Sequence, residues 1–503
     1  MTEVRTRFAP SPTGYLHVGG IRTALFAYLL AKKHQGTFVL RFEDTDKKRE
    51  VPGSAEHLIT SLKALGIVYD EGPDIGGPYA PYIQSQRLES YQTWAKKLID
   101  AGRAYADPYT SEQVQAFREQ AQAAKQPFLY RNHRPENPPA WDGTMPLRFQ
   151  SDPKAYQWHD EVMGDLSTGP EVIDDIILIK SDGYPTYNFA HIVDDAEMHI
   201  SHVIRGQEFI SSTPNYLNLY EALGYVMPTD AQHERSARAL GDGDEAKNLL
   251  LSESEGRALP VFATMPHIMN EQGNKKLGKR DGAKDVLDYI RNGYLPEALV
   301  SFIATLGWND GSTQELFTIQ ELVQKFSLTK VQRSGARFDE KRLLWVNGSF
   351  IRELPIDELY ERVIDFWPET AANASEDFKR QVLALAQDRL KTLADLPLLT
   401  SYFFAEPARN DNLITDNKQL KRLSPEEITS LIAASADELG KLKTWNAETI
   451  QETLNRLLEQ TGQKPGTLFS LVRIYTTWSP FSPQLNETLE LLGQQTTLKR
   501  LNG

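Results

Sequence analysis

The chain has no cysteine among its 503 residues. Disulfides, thiolate zinc sites, iron–sulfur ligation and cysteine nucleophiles are excluded, while the redox compartment stays open. Long apolar runs are missing as well. No stretch approaches the roughly 18 consecutive apolar residues of a membrane span, and the longest candidate near the start is broken by Lys32, Lys33 and His34. Residues 1–9 lack both an apolar signal core and an Arg-rich, Ser-rich transit pattern, so the cytoplasm is the expected location. There is no excess of basic charge: 55 Lys and Arg stand against 68 Asp and Glu, a net charge of −13. That balance argues against sequence-independent adhesion to nucleic acid but leaves room for a local basic site. The ten histidines show no zinc-ligand spacing and no Ser/His/Asp order stands out, so no metal ligand is assigned.

What is present is an ordinary globular composition, 40% hydrophobic and 24% charged, enough to bury a large core. At about 100–200 residues per domain, the length predicts about three to five compact units. Residues 4–9 read as a strand, 10–14 as a Pro/Gly turn, 21–33 as an apolar-periodic helix and 37–42 as a second strand. This strand, helix, strand order predicts an α/β fold with a parallel sheet and ligand sites beyond the strand C-termini. Further strands are expected over 172–180 and 202–205, with a helix over 213–223. The Pro- and aromatic-rich residues between about 70 and 170 are too many for a loop and predict an inserted subdomain. Residues 230–257 read as a polar surface excursion, and from about Ile351 onward the apolar spacing is helical.

Five motifs carry chemistry. In Arg7-Phe-Ala-Pro-Ser-Pro-Thr-Gly14 followed by Tyr15-Leu-His17-Val-Gly19-Gly20, a strand-to-helix loop with glycines offers a phosphate cradle, and His17 is placed to donate to phosphate oxygens. A proline-stiffened turn whose histidine caps the helix explains the same residues. Asn274-Lys-Lys276-Leu-Gly278-Lys279-Arg280-Asp-Gly282 is a basic loop able to close over a triphosphate, or a solvated charge run. Arg41-Phe-Glu43-Asp-Thr-Asp46 places Glu43 at the ligand edge of the sheet, where a carboxylate holds a substrate ammonium; a solvated turn is the alternative. Tyr184-Pro-Thr-Tyr187-Asn-Phe-Ala190 and Val203-Ile-Arg205-Gly-Gln-Glu208 add a tyrosine and an arginine. Arg7 and Arg205 together offer guanidinium groups for the two carboxylates of a dicarboxylic amino acid, unless they serve structural pairs with Asp194 or Asp195. A locally basic stretch with Lys325, Lys330, Arg333 and Arg337 is a candidate phosphate-backbone contact or a solvated face.

In order and spacing, R-F-A-P-S-P-T-G-Y-L-H-V-G-G, R-F-E-D-T-D, D-G-Y-P-T-Y-N-F-A, V-I-R-G-Q-E and K-L-G-K-R-D-G resemble the bacterial glutamyl-tRNA synthetases, which are class I aminoacyl-tRNA synthetases. The resemblance implies a Rossmann-type core in two halves, residues 1–75 and 172–225, split by an α+β acceptor-stem-binding insertion at 76–171. It further implies a stem-contact domain at 226–325 with an extra insertion at 229–258, and all-α anticodon-binding bundles at 326–503. Carried onto this chain, His17 and Lys279 are catalytic, and Pro10, Ser11, Gly19, Gly20, Lys276 and Arg280 join them around ATP. Arg7, Ala9, Ser11, Glu43, Tyr187, His191 and Arg205 surround glutamate, and Arg205 favours glutamate over glutamine. ATP with Mg2+ is the expected substrate, tRNA(Glu) the expected nucleic-acid partner, with a non-discriminating enzyme that also charges tRNA(Gln) as the alternative, and a monomer the expected state. Three departures stand out. Gly278 replaces the usual serine of the lysine signature, His191 occupies a position that varies in the family, and no Cys cluster surrounds residues 105–108, so no structural zinc is expected. A non-catalytic tRNA-binding paralogue and a cofactor-making nucleotidyltransferase are the competing classes; intact His17, Lys279 and Glu43 argue against the first, and the large helical C-terminal half against the second.

Overall fold

A computed structural model describes residues 3–226, 257–278 and 285–503. Nearly all of the extra segment 229–258, together with Lys279 and Arg280, lies outside the described residues. The chain divides into two compact units, Met1–Leu287 with Val300–Asp339, and Asp288–Leu299 with Glu340–Gly503.

In chain order the first unit contains β1 (Arg5–Phe8), α1 (Val18–Lys33), β2 (Thr37–Leu40), α2 (Ser54–Ala64), α3 (Leu88–Asp100), β3 (Ala104–Ala106), α4 (Ser111–Ala123), β4 (Leu147–Phe149), β5 (Tyr156–Asp160), β6 (Gly164–Thr168), β7 (Ile177–Ile179), α5 (Tyr187–Glu197), β8 (His202–Gly206), α6 (Thr213–Ala222), β9 (Tyr225–Val226), β10 (Arg257–Ala258) and β11 (Val261–Met265). The main sheet has the order β2-β1-β8-β11-β5-β6. Its strands pair in parallel up to β5, which folds back on β6 as an antiparallel hairpin. From β1 the chain goes outward to β2 on one side and later returns to β8 on the other. The crevice beyond the C-terminal ends of β1 and β8 is therefore the topological switch point, where ligands of such sheets bind.

Alternation along β1 decides what lies on each face. Thr6 donates from its hydroxyl to the Ala27 carbonyl of α1 at 2.8 Å. Arg5 and Arg7 point the other way, Arg5 to the Met198 carbonyl just past α5 and Arg7 to Asp195 within it. Helix α1 is rich in Ala and Leu, buries Ile21, Leu25, Phe26, Leu29 and Leu30, and carries Lys32 and Lys33 in its last turn, where cations suit the helix dipole.

The strand expected over 172–180 is reduced to β7, which pairs antiparallel with β4 in a separate three-stranded sheet, β3-β4-β7. The reason lies in Asp174 and Asp175. Asp174 accepts the backbone N–H groups of Tyr130 and Arg131 at 2.9 Å, and buried Asp175 accepts from Ser151, Tyr105 and Arg134. Both carboxylates shape a turn rather than extend a strand. The sheet position beside β11 goes instead to β5, whose bond to it sequence periodicity does not disclose.

The second unit is helical. Its helices are started by local chemistry, as at Pro425–Gly440 and Ala447–Thr461, where Ser424 with Glu427 and Asn446 with Thr449 form reciprocal caps. Leu431, Leu439, Leu454, Leu468, Leu471 and Leu489 share its core. Residues 288–299 join this unit through Asn347, which is fully buried, accepts the Leu295 N–H at 2.8 Å and donates to the Lys391 carbonyl at 2.6 Å. Asn347→Ala strands both groups away from water and is expected to lower the stability of this unit by about 1–3 kcal/mol in chemical denaturation. Among the described residues no helix is long and apolar enough to cross a membrane.

Candidate active site

Loop 9–17 leaves β1 and enters α1 at the switch point. His17 is the N-cap of α1, with extended backbone, and its Nδ1 accepts the Gly19 N–H at 3.2 Å. The capping role weighed as an alternative is thus real, and it leaves His17 exposed on a cavity of about 500 Å3. Pro10, Ser11, His17, Gly19, Gly20 and Lys276 all line this cavity, as do Phe8, Arg22, Glu208, Met265, Pro266 and His267. Glycine at position 20 lets the Leu16 side chain pack close to the helix, because a Cβ there would stand 2.8 Å from Leu16 Cδ1 and that methyl would have to shift. No acidic residue occupies the first turn of α1, so the partial positive charge of its N-terminus is free to meet an anion.

Lys276 reaches the cavity because the chain after β11 folds back on itself: Leu277 N–H donates to the Ile268 carbonyl at 2.8 Å, and Lys276 Nζ stands 3.9 Å from Glu208 Oε1. The chain re-enters at Asp285, whose backbone bridges that of His17. Both ends of the basic loop are therefore anchored at this cavity, while Lys279 and Arg280 lie outside the described residues.

The second cluster lies on the α5 face of the sheet. Glu43 is buried, not part of a solvated turn, and its Oε1 accepts from Arg41 Nη2 at 2.9 Å. Burial pushes the Glu43 carboxyl up to about 7, with Arg41 and Arg7 only partly offsetting it. Arg41, completely buried, also donates to Asp195 Oδ1 at 2.8 Å, and Asp195 accepts in turn from Arg7 Nε at 3.1 Å. Burial alone would raise Asp195, but Arg7 and Arg41 hold it down at about 2. The other two carboxylates of the motif are used locally: Asp44 accepts from Ser85 and Lys47, and Asp46 is exposed.

Tyr187 begins α5 and stacks between His191, at 4.7 Å between ring centroids, and Phe209 at 5.2 Å. Burial pushes the Tyr187 phenol far up, and it senses the charges of Glu43, Arg205 and Arg7. His191 is buried, with Nδ1 2.7 Å from the Tyr187 carbonyl, and burial lowers it to about 3, so the ring is neutral. Arg205 is buried among the rings of Phe209, Tyr216 and Phe262, with centroids at 5.5, 5.0 and 5.4 Å, and donates to Thr213 Oγ1 at 2.8 Å. The two candidate arginines thus differ. Arg7 already holds Asp195, whereas no carboxylate among the described residues pairs with Arg205. Ala9 is half-buried in the loop directly after β1.

The basic candidates near the end of this unit are separated by their contacts. Lys325 is engaged with Asp310 at 3.0 Å and Lys330 with the Asp310 carbonyl at 2.9 Å, whereas Arg333 and Arg337 are exposed. Asp195 fills, for Arg7, the structural pairing weighed as the alternative to substrate binding, whereas Arg41 and Arg22 take part in the site without having been assigned a role from the motifs. A charged residue inside an apolar strand or helix run was the signal for each.

Family models describe residues 3–243 and 243–345 as a class I tRNA synthetase catalytic domain (E and Q) and residues 358–503 as an anticodon-binding domain. A glutamate–tRNA ligase of Clostridium botulinum (strain Okra / Type B1) is 36% identical over 99% of this chain and 97% of its own length. The chain belongs to the glutamate–tRNA ligase family of class I synthetases. A relative of the same name from Clostridium tetani is 35% identical over 99% of the chain and 96% of its own length. Among solved structures, the glutamate tRNA ligase of Elizabethkingia meningosepticum, crystallised with its amino acid, aligns over 100% of this chain and 99% of its own with a TM-score of 0.81 and 30% identity. The family's mixed parallel sheet and helical C-terminal region are those described above.

Proposed function

We propose that the chain activates L-glutamate with ATP and transfers the glutamyl group to the 3′ end of tRNA(Glu). The observation that carries this reading is the charge pattern around Tyr187, with a buried carboxyl, Glu43, and a buried arginine that no carboxylate among the described residues pairs with, Arg205, both acting on one phenol. A dicarboxylic amino acid supplies the complement: its ammonium meets Glu43 and its side-chain carboxylate meets Arg205, which leaves the α-carboxylate for reaction. Arg7, paired with Asp195, shapes the floor of this pocket. The α-carboxylate oxygen forms a bond to the α-phosphorus of ATP as the bond to the pyrophosphate oxygen breaks. A terminal ribose hydroxyl of tRNA then takes the glutamyl carbonyl and AMP leaves. No general base is needed in the first step, so positioning and electrostatics do the work. The α1 N-terminus, His17 and Lys276 receive the phosphates, Lys279 supplies charge as pyrophosphate departs, and Mg2+ travels with ATP as part of the substrate. Residues 358–503 bind the anticodon.

Glutamate-dependent ATP–pyrophosphate exchange, with and without tRNA, tests the reading. Exchange that requires tRNA is the expected result. Tight tRNA binding with no exchange in either condition would replace the ligase by a non-catalytic paralogue. In the same assay Lys279→Ala is expected to lose about two orders of magnitude, as when a preorganised charge is removed from a developing anion, with tRNA affinity unchanged.

A further inference from the structure

Among the described residues, seven arginines of the first unit are buried: Arg5, Arg7, Arg22, Arg41, Arg87, Arg148 and Arg205. Five hold carboxylates, Arg5 on Glu71, Arg7 on Asp195, Arg41 on Glu43 and Asp195, Arg87 on Asp194, and Arg148 on Asp107. The two exceptions among the described residues are Arg205, assigned above to the glutamate carboxylate, and Arg22. A buried cation without a counter-ion carries a desolvation cost that its protein contacts do not return. Such a group is a functional candidate when it sits in a cleft.

Arg22 meets that condition on geometry. It lies in α1 five residues beyond His17, is only 4% exposed, and lines the cavity that His17, Gly19, Gly20 and Lys276 also line. Its Nη1 donates to the Leu306 carbonyl at 3.1 Å and its Nη2 to the Pro266 carbonyl, while Nε has no partner among the described residues. Pro266 belongs to the cavity wall between β11 and the turn that carries Lys276. The guanidinium therefore ties the anion-binding end of α1 to that wall and leaves its full charge uncompensated beneath it. Its charge is felt across the wall at His267, where it acts with burial and Lys276 to lower the imidazole.

We infer that Arg22 is a positioning residue for the polyphosphate of ATP, giving the cavity floor a fixed positive charge that the protein itself does not neutralise. This rests on the ATP reading above. Arg22→Gln removes the charge but keeps a donor, and Arg22→Lys keeps the charge but loses the two-carbonyl fork. ATP affinity by calorimetry on the full chain, with separate KM values for ATP and glutamate in tRNA-supported exchange, distinguishes the roles. Arg22→Gln is expected to weaken ATP by about tenfold or more. The KM for glutamate and the melting temperature stay near those of the wild type, because the lost charge was a cost to the empty protein. Arg22→Lys restores most of the ATP affinity. Unchanged ATP affinity in Arg22→Gln, or equal losses in both variants accompanied by a fall in melting temperature, would make the residue a structural tie and overturn the inference. If Arg22→Gln does not fold, a tenfold ATP loss in a folded Arg22→Lys overturns it and retention supports it. A wild type that binds ATP yet exchanges no pyrophosphate overturns the ligase reading alone, and calorimetry still decides Arg22.

Discussion

Glu43→Gln is expected to reduce kcat/KM for glutamate by about two orders of magnitude while leaving the KM for ATP nearly unchanged, the size of loss that follows when a buried charge pairing is broken. The substitution keeps the shape of the side chain and its contact with Arg41 but removes the negative charge proposed to meet the substrate ammonium. A pH signature accompanies it. Burial places the Glu43 carboxyl at about 7 in the free protein, and only the ionised form holds an ammonium. Below that value the ionised fraction, and with it kcat/KM for glutamate, falls about tenfold per pH unit. Above it the profile is flat. Glu43→Gln should lose this acid limb, and a variant that retains both the limb and the activity would remove Glu43 from the ammonium site.

Much of this site was legible because its motifs are local. Strand, loop, helix and strand follow one another over 5–40, so the loop proposed to cradle phosphate and its position at a sheet edge come from neighbouring residues whose patterns state their own structure. Glu43 and Arg205 were legible as charges next to strand ends. What could not be read is non-local. The β5 and β6 hairpin takes a place in the main sheet beside β11, about a hundred residues later, and nothing in its alternation names that partner. The run ending at Ile179 looks like a sheet strand until Asp174 and Asp175 are seen to cap distant backbone groups. Residues 288–299 do not state in sequence which unit they complete, and the buried Asn347 ties them to the second. The roles of the arginines were equally hidden. Whether Arg7 or Arg205 faces substrate depends on Asp195, which approaches from a helix 188 residues away.

Arg41→Met is expected to have the largest effect on stability, about 3–5 kcal/mol, because it removes the shared cation of a buried network rather than one partner of a surface pair. Arg41 donates to Glu43 and Asp195, and its Nε stands 3.6 Å from Asp194, which is itself held by Arg87, Gln84 and Tyr91. Methionine fills similar volume, so the loss comes mainly from carboxylates left without charge rather than from a cavity. The sign of the pH dependence follows from linkage. With Arg41 gone, Glu43 and Asp195 are both pushed upward, so the folded variant binds more protons than its unfolded chain in the window between the ordinary carboxylate range and neutrality. Its stability must then fall as pH rises through that window. The deficit against the wild type should accordingly be greatest near pH 8 and shrink toward pH 5, where protonation neutralises the stranded acids. Denaturant unfolding at several pH values reads this directly. A deficit of the same size at every pH would mean that Arg41 contributes packing rather than charge, and that Glu43 does not depend on it to remain available for an ammonium group.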